Sequence, residues 1–227
     1  KNTSAGAPCN RGKKHFLERI EGTDTWRLKD NMQQTVDAIF ERYDNGQRAY
    51  PIFQSHLKDQ AIPERKAKIG KVRVFVGGPM AWTIVVRQCT LWFIRLVQNN
   101  RRVFGIGAGT VAQGSEWDDL YKWLTYFGRE AIAGDYALFD KRMGALVILY
   151  AFQILAEFAM LANAPHDLVI AILCIGEDTA FAFVCFNGDL FMFFGSNPSG
   201  HALTVIINSL VGNLYIRYVF KMVVPKQ

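Results

Sequence analysis

At 227 residues, 50% hydrophobic and 20% charged, the chain is long enough to bury a core and too apolar for a disordered tail or low-complexity linker. Its four cysteines, Cys9, Cys89, Cys174 and Cys185, form no Cys-x-x-Cys pair. That excludes a zinc ribbon and a disulfide-stapled mini-domain, and fits a reduced cytosolic chain.

The net charge of +6 is uneven. Residues 1–134 carry 21 Lys and Arg against 13 Asp and Glu, and residues 135–227 carry 5 against 7. Within 58–102 the counts are 10 and 2. A basic block joined to an apolar block suggests a polyanion partner, and equally suits a solvated basic face.

Residues 1–30 read as loop, rich in Gly, Pro, Asn and charge. No secretory signal is visible, and Lys1 stands where an initiator Met is expected, so it does not read as a native start. Met32, Val36, Ile39, Phe40 and Tyr43 share one helical face, and Asp44-Asn45-Gly46 ends that helix. Strand-like pieces follow around 52–57 and 71–76. Pro79 is placed as a first helical residue, opening a long buried helix to Asn99. Gly105, Gly107 and Gly109 make a loop without the spacing of a dinucleotide fingerprint. Ser115 is a suitable N-cap for a helix over 116–127.

Residues 131–135 predict a short buried strand ending at Asp135. A helix from Lys141 to Asn163 follows, broken by Pro165, and another begins near His166 or Asp167. Two apolar runs around Asn187-Gly188-Asp189 predict a hairpin. A tight loop spans 195–200, and a last helix runs from His201 to near Lys221. The apolar stretches after 144 are interrupted by Gln153 and Glu157 or ended by Glu177 and Asp178. None reaches the roughly 18 residues of a membrane span, so no transmembrane segment is expected.

Three segments carry chemistry. In Gly134–Asp140, a carboxylate at a strand end can hold a hard cation, and Asp140, five positions on, can face the same cleft. Two solvated acids would look the same. In Asn197–Asn208, a Gly-containing loop leads into a helix that places His201, Thr204 and Asn208 near one face. Ordinary core polar bonds would account for that row equally well. In the basic segment, Lys71 and Arg73 would share one strand face and could both reach one phosphate chain.

Together and in order, these segments resemble the RNA-directed RNA polymerase of picornavirus-like positive-strand RNA viruses, from Asn2 to about Tyr218. Asn2-Thr3-Ser4-Ala5-Gly6 with Pro8 resembles the template-guiding loop. Lys58-Asp59 through Gly70-Lys71-x-Arg73 resembles the basic finger loop, and Ser115-Glu116-Trp117 the element before the palm. Asp135-x4-Asp140 is similar to the first palm motif, and Ser199-Gly200-x3-Thr204-x3-Asn208-Ser209 to the second. The sequence departs from the family at Gln60, Ile62 and Ala7, where Glu, Arg and an aromatic are usual.

The resemblance implies an α+β, partial right-hand polymerase, with a fingers region over 1–129 and a palm region with inserted fingers elements over 130–227. It implies RNA-templated transfer of a nucleotide from NTP to a primer 3′-hydroxyl by a two-metal mechanism. Asp135 would ligate Mg²⁺ (or Mn²⁺). Asp140 and Asn208 would sense the ribose 2′-hydroxyl, supported by Thr204. Ser199 and Gly200 would form a flexible loop beside the nascent pair. Lys58 and Arg73 would hold the triphosphate, while Lys66, Lys68 and Lys71 line the NTP and RNA channel. Ser4 and Gly6 would touch the template backbone. Implied partners are template and primer RNA, NTPs and other viral replication proteins, at replication complexes in the host-cell cytoplasm. The family's Gly-Asp-Asp hairpin is absent from the sequence, so a fragment inactive by itself is expected. A non-catalytic RNA-binding remnant competes with that reading. So does an α+β domain whose matches are coincidence.

Overall fold

The computed structural model describes residues 3–224; Asn2, where the resemblance begins, lies outside them. The first 28 positions are not all loop. A 3₁₀ turn (Lys13–Phe16) leads into a small hairpin of β1 (Leu17–Arg19) and β2 (Trp26–Leu28). Its polar strands carry an Arg27–Glu18 ion pair instead of the apolar alternation that makes strands readable.

Helix α1 (Asp30–Asp44) turns Met32, Val36 and Tyr43 inward, as its periodicity requires. Strand β3 (Ile52–Leu57), the short helix α2 (Glu64–Lys68) and β4 (Val74–Gly77) follow. Lys71 and Arg73 precede β4 rather than lying on it, so a shared strand face does not form. The Lys58 N–H bonds to the Arg73 carbonyl at 2.8 Å and closes the loop between the two strands.

Helix α3 (Met80–Asn99) opens after Pro79, which is the N-cap. By length and composition alone this helix could cross a membrane. Its buried face instead packs Trp82, Val85, Val86, Cys89, Phe93 and Val97 into the core, while Arg87 and Arg95 face outward. The short α4 (Arg101–Phe104) ends at Gly105, with φ of 62°. Helix α5 covers only Glu116–Leu124, and Ser115 makes no side-chain cap. Glu116 does the local bonding: its carboxylate accepts from Val111 N–H at 2.9 Å and pairs with Arg101, which holds its pKa below the usual range.

Residues 131–135 form no strand. Among the described residues no segment pairs with them, and Ile132 is fully exposed. A strand exists only where its backbone groups find a neighbouring ladder. The expected 141–163 helix is two helices, α6 (Phe139–Arg142) and α7 (Ala145–Leu161). Ser196 N–H bonds the Met143 carbonyl at 2.9 Å, and Gly144 N–H donates to Tyr215 Oη at 3.2 Å. These bonds hold the chain extended at the break.

Helix α8 (His166–Ala180) carries Asp178 wholly buried rather than stopping at it. The carboxylate accepts from Tyr43 Oη (2.8 Å), Arg48 Nε (3.1 Å), and the N–H groups of Ala49 (3.0 Å) and Tyr50 (3.2 Å). Four donors make burial of that charge tolerable. They also lock the approach to β3 against α8.

Strands β5 (Phe183–Phe186) and β6 (Asp189–Met192) form the expected hairpin, with φ of 52° at Asn187 and 97° at Gly188. The sheet order is β4-β3-β5-β6, with β3 parallel to β5. Each side of residue 130 thus supplies two strands to one sheet. Helix α9 spans Thr204–Val223, three residues later than expected at its start. His201 is drawn out of it into the core, 4.9 Å from the Trp82 ring. All four cysteines are free.

Candidate functional site

A cleft of about 810 Å³ opens where four chain segments meet. Lys58 and Asp59 follow the end of β3, Arg73 directly precedes β4, and Phe75 lies on β4. Tyr136 and Leu138 come from the loop into α6, and Phe139, Asp140 and Lys141 from α6 itself. Ser199 comes from the loop before α9, and Thr204 and Asn208 from the first turns of α9. Three cations face two carboxylates, a lining suited to an anionic ligand that also carries a group for the acids to bond.

Each wall has a local cause. Leu138 sits at φ 56° and turns the chain into α6; the Tyr136 ring stacks on Phe139 with centroids 4.7 Å apart. Asn197 N–H donates to the Asp140 carbonyl at 2.8 Å, which ties the acid loop to the 195–200 loop. Thr204 Oγ1 donates within 3.0 Å to the carbonyls of Pro198 and His201, so its hydroxyl fastens the loop to the helix start. Asn208 Oδ1 accepts from Asn197 Nδ2 at 2.8 Å. Thr204 and Asn208 are one helical turn apart and share a face.

The structure brings Lys58, Arg73, Asp140, Ser199, Thr204 and Asn208 together in this lining. It leaves the other sequence-derived candidates outside it. Asp135 is exposed on the extended loop before the cleft. Lys66, Lys68 and Lys71 are exposed on and after α2, with Lys68 paired to Glu64 at 2.9 Å. Ser4 and Gly6 lie at the start of α3, where Ala5 carbonyl accepts from Met80 N–H at 2.7 Å. Gly6 has φ of 80°, and a Cβ there would stand 3.0 Å from the Gly78 carbonyl oxygen.

Gly200 is not a free loop residue. It forms a parallel bridge with Gly77, and its N–H donates to Val76 O at 2.6 Å. His201 does not join the Thr204–Asn208 face. Its Nδ1 accepts from Leu203 N–H at 2.9 Å, and its Nε2 faces Thr179 Oγ1 at 3.1 Å. Burial lowers its pKa from 6.5 to about 3, so the ring is neutral.

The sequence reading did not single out Tyr136, Leu138, Phe139, Lys141 or Asn197. Only Asn197 carried a signal, because Asn-Pro marks a turn with an extended first residue. An all-protein cage for a divalent cation is not present among the described residues. Among the described residues no group of three or more His, Cys, Asp or Glu could hold one. Asp135 and Asp140 are the two carboxylates the sequence offered, and a Mg²⁺ ion held through one or two carboxylates takes its remaining oxygens from water and substrate phosphates.

Comparisons with known proteins bear on the family and the fold. A family model described as viral RNA-dependent RNA polymerase matches residues 1–226. The replicase polyprotein of Drosophila C virus is 28% identical over 218 residues, covering 93% of this chain and 12% of the polyprotein. The RNA1 polyprotein of beet ringspot virus is 32% identical over 179 residues, covering 74% of this chain and 8% of that one. Among solved structures, the Sicinivirus 3Dpol RNA-dependent RNA polymerase superposes with a TM-score of 0.76 at 19% identity. That match covers 99% of this chain and 45% of the other, and shows a shared partial polymerase fold. The chain therefore spans under half the length of these relatives, and it belongs to the viral RNA-dependent RNA polymerase family.

Proposed function

We propose that the cleft binds the incoming NTP during RNA-templated RNA synthesis in viral genome replication. In that reaction a primer 3′-oxygen attacks the α-phosphorus, its proton leaves, and the bond to pyrophosphate breaks. The carrying observation is the convergence of Asp140, Thr204 and Asn208 with Lys58, Arg73 and Ser199 on one lining from four separate segments.

Lys58 and Arg73 hold the triphosphate; the guanidinium can grip two phosphate oxygens at once. Asp140 and Asn208 bond the ribose 2′-hydroxyl, and Thr204 keeps the loop and helix start in register for them. Ser199 flanks the nascent pair. The exposed Lys66, Lys68 and Lys71, with Ser4, Gly6 and Gly200, belong to the RNA path. Two-metal transfer would take Asp135 as one Mg²⁺ or Mn²⁺ ligand. The roles given to the chain's other side chains are binding and orientation. A fingers region over 1–129 and a palm region over 130–227 fit this division of labour. Template and primer RNA, and other replication proteins at cytoplasmic replication complexes, are the partners the reading implies.

The test uses the polymerase polypeptide that carries these residues. A site built to bond a hydroxyl rejects the analogue without it, so Asn208→Ala is expected to cut the kcat/KM preference for ATP over 2′-deoxy-ATP about tenfold or more. An unchanged preference contradicts the reading of Asn208 as a ribose-sensing residue, and absence of any templated extension by the wild-type polypeptide would favour the RNA-binding remnant.

A further inference from the structure

The loop over 195–200 holds a buried amide that the sequence motif does not include. Asn197 is 1% exposed. Two left-handed residues, Gly195 (φ 89°) and Ser196 (φ 69°), deliver it, and Pro198 follows it. A Cβ on Gly195 would meet the backbone of Met143 and Ala145, so this approach is specific to glycine.

Asn197 makes three directed contacts. Its N–H donates to the Asp140 carbonyl at 2.8 Å. Its Nδ2 donates to Asn208 Oδ1 at 2.8 Å and faces the Thr204 carbonyl at 3.4 Å. A main-chain carbonyl can only accept, which fixes that edge of the amide as nitrogen. It follows that Asn208 turns its oxygen to Asn197 and keeps its own Nδ2 for the cleft. No hydrogen bond among the described residues uses that Nδ2.

The arrangement leaves one group unsatisfied. Asn197 Oδ1 is buried without any hydrogen-bond partner. An orphaned buried acceptor is costly, and an apolar residue of similar size would avoid it. What the amide does in exchange is orient Asn208 and tie down Asp140, both of which line the cleft.

We propose that Asn197 is a positioning residue for sugar selection: it sets the Asn208 amide with its donors toward the nucleotide and holds the Asp140 backbone at the matching distance. This rests on the reading of Asp140 and Asn208 as the ribose-sensing pair. Asn197 itself touches no substrate atom. Asp at this position keeps the size but cannot donate, so it draws the Asn208 Nδ2 toward itself and presents Oδ1 to the cleft. Ala releases the Asn208 amide to rotate.

The experiment is primer extension by the polymerase polypeptide that carries this chain, reading kcat/KM for ATP and for 2′-deoxy-ATP. The variants are N197A, N197D, N208A and N197A/N208A, each with its melting midpoint. Positioning predicts that N197A and N197D each lower the ATP-to-dATP ratio about tenfold. The double variant should fall no further than N208A, because both changes remove one interaction. A purely structural role lowers turnover of both nucleotides equally and leaves the ratio intact; that result, with N208A still lowering the ratio, overturns the proposal alone. If N208A also leaves the ratio unchanged, the ribose-sensing reading falls, and the proposal with it.

Discussion

The Ser199 hydroxyl accepts the N–H of Val76 at 3.0 Å, joining two residues 123 positions apart. The next residue, Gly200, continues the contact as a bridge to Gly77. The loop before α9 is thereby laid along the exposed edge of β4, and the cleft lies on the line of that join.

Gly200→Ala should therefore act through the backbone. The new Cβ would sit well inside van der Waals contact of the Val76 carbonyl oxygen and 2.9 Å from Gly77 Cα. Neither is a flexible side chain, so the bridge must open. Overpacking of this kind costs about 2 kcal/mol, a drop in melting midpoint of roughly 4–8 °C for a chain this size. Thermal melts of the two proteins check it; an unchanged midpoint would mean the loop lifts freely from β4.

His201 should make the fold acid-sensitive. Its folded pKa is depressed by burial from 6.5 to about 3, and its Nδ1 must stay unprotonated to accept from Leu203. For a base with a depressed pKa, the folded state is favoured fully above 6.5 and loses stability as pH falls toward 3. Between pH 7 and pH 5 this amounts to about 2 kcal/mol. Urea unfolding of the wild type and His201→Gln at both pH values isolates the effect. The variant should be less stable at pH 7 and lose less on acidification; equal losses would remove His201 as the cause.

Arg73→Ala should raise KM for NTP and lower kcat in the polymerase that carries the chain, with kcat/KM down about tenfold or more. Arg73→Lys should recover only part of this, since an ammonium lacks the planar fork. Initial rates across an NTP series decide the point. A change confined to RNA affinity would move Arg73 to the RNA path.

Much of the site was legible because its chemistry sits in short ordered segments. Asp140, Ser199, Thr204 and Asn208 lie in two short segments, Lys58 and Arg73 bracket the basic loop, and all six line one cleft. The helices were legible where one face is apolar, as in α1 and α3, and the β5–β6 hairpin from its Asn-Gly turn. The rest depended on contacts between distant segments. Residues 131–135 have the composition of a strand but no neighbour to pair with among the described residues. His201 fits the helical face by spacing, yet the core takes its ring. Asp178 looks like a helix-ending acid, and only Tyr43, Arg48 and the 49–50 backbone make its burial possible. Asn197 gave a turn signal and nothing about the amide it orients.

Residues 1–227 alone should bind single-stranded RNA through the exposed basic residues of 58–102, with little sequence preference and a steep loss of affinity as salt rises. Fluorescence anisotropy across a salt series, with RNAs of different sequence, tests both statements. Salt-independent or strongly sequence-selective binding would contradict them.

The account stands most directly on the identity of the cleft. An ATP carrying an aryl azide on its γ-phosphate, photolysed with the polymerase polypeptide and a primed template, reports where the triphosphate lies. The account predicts adducts on the peptides that carry Lys58 and Arg73, suppressed by ATP far more effectively than by 2′-deoxy-ATP. Adducts confined to the separate cavity lined by Asn99, Arg102 and Trp123, or equal suppression by the two nucleotides, would contradict it.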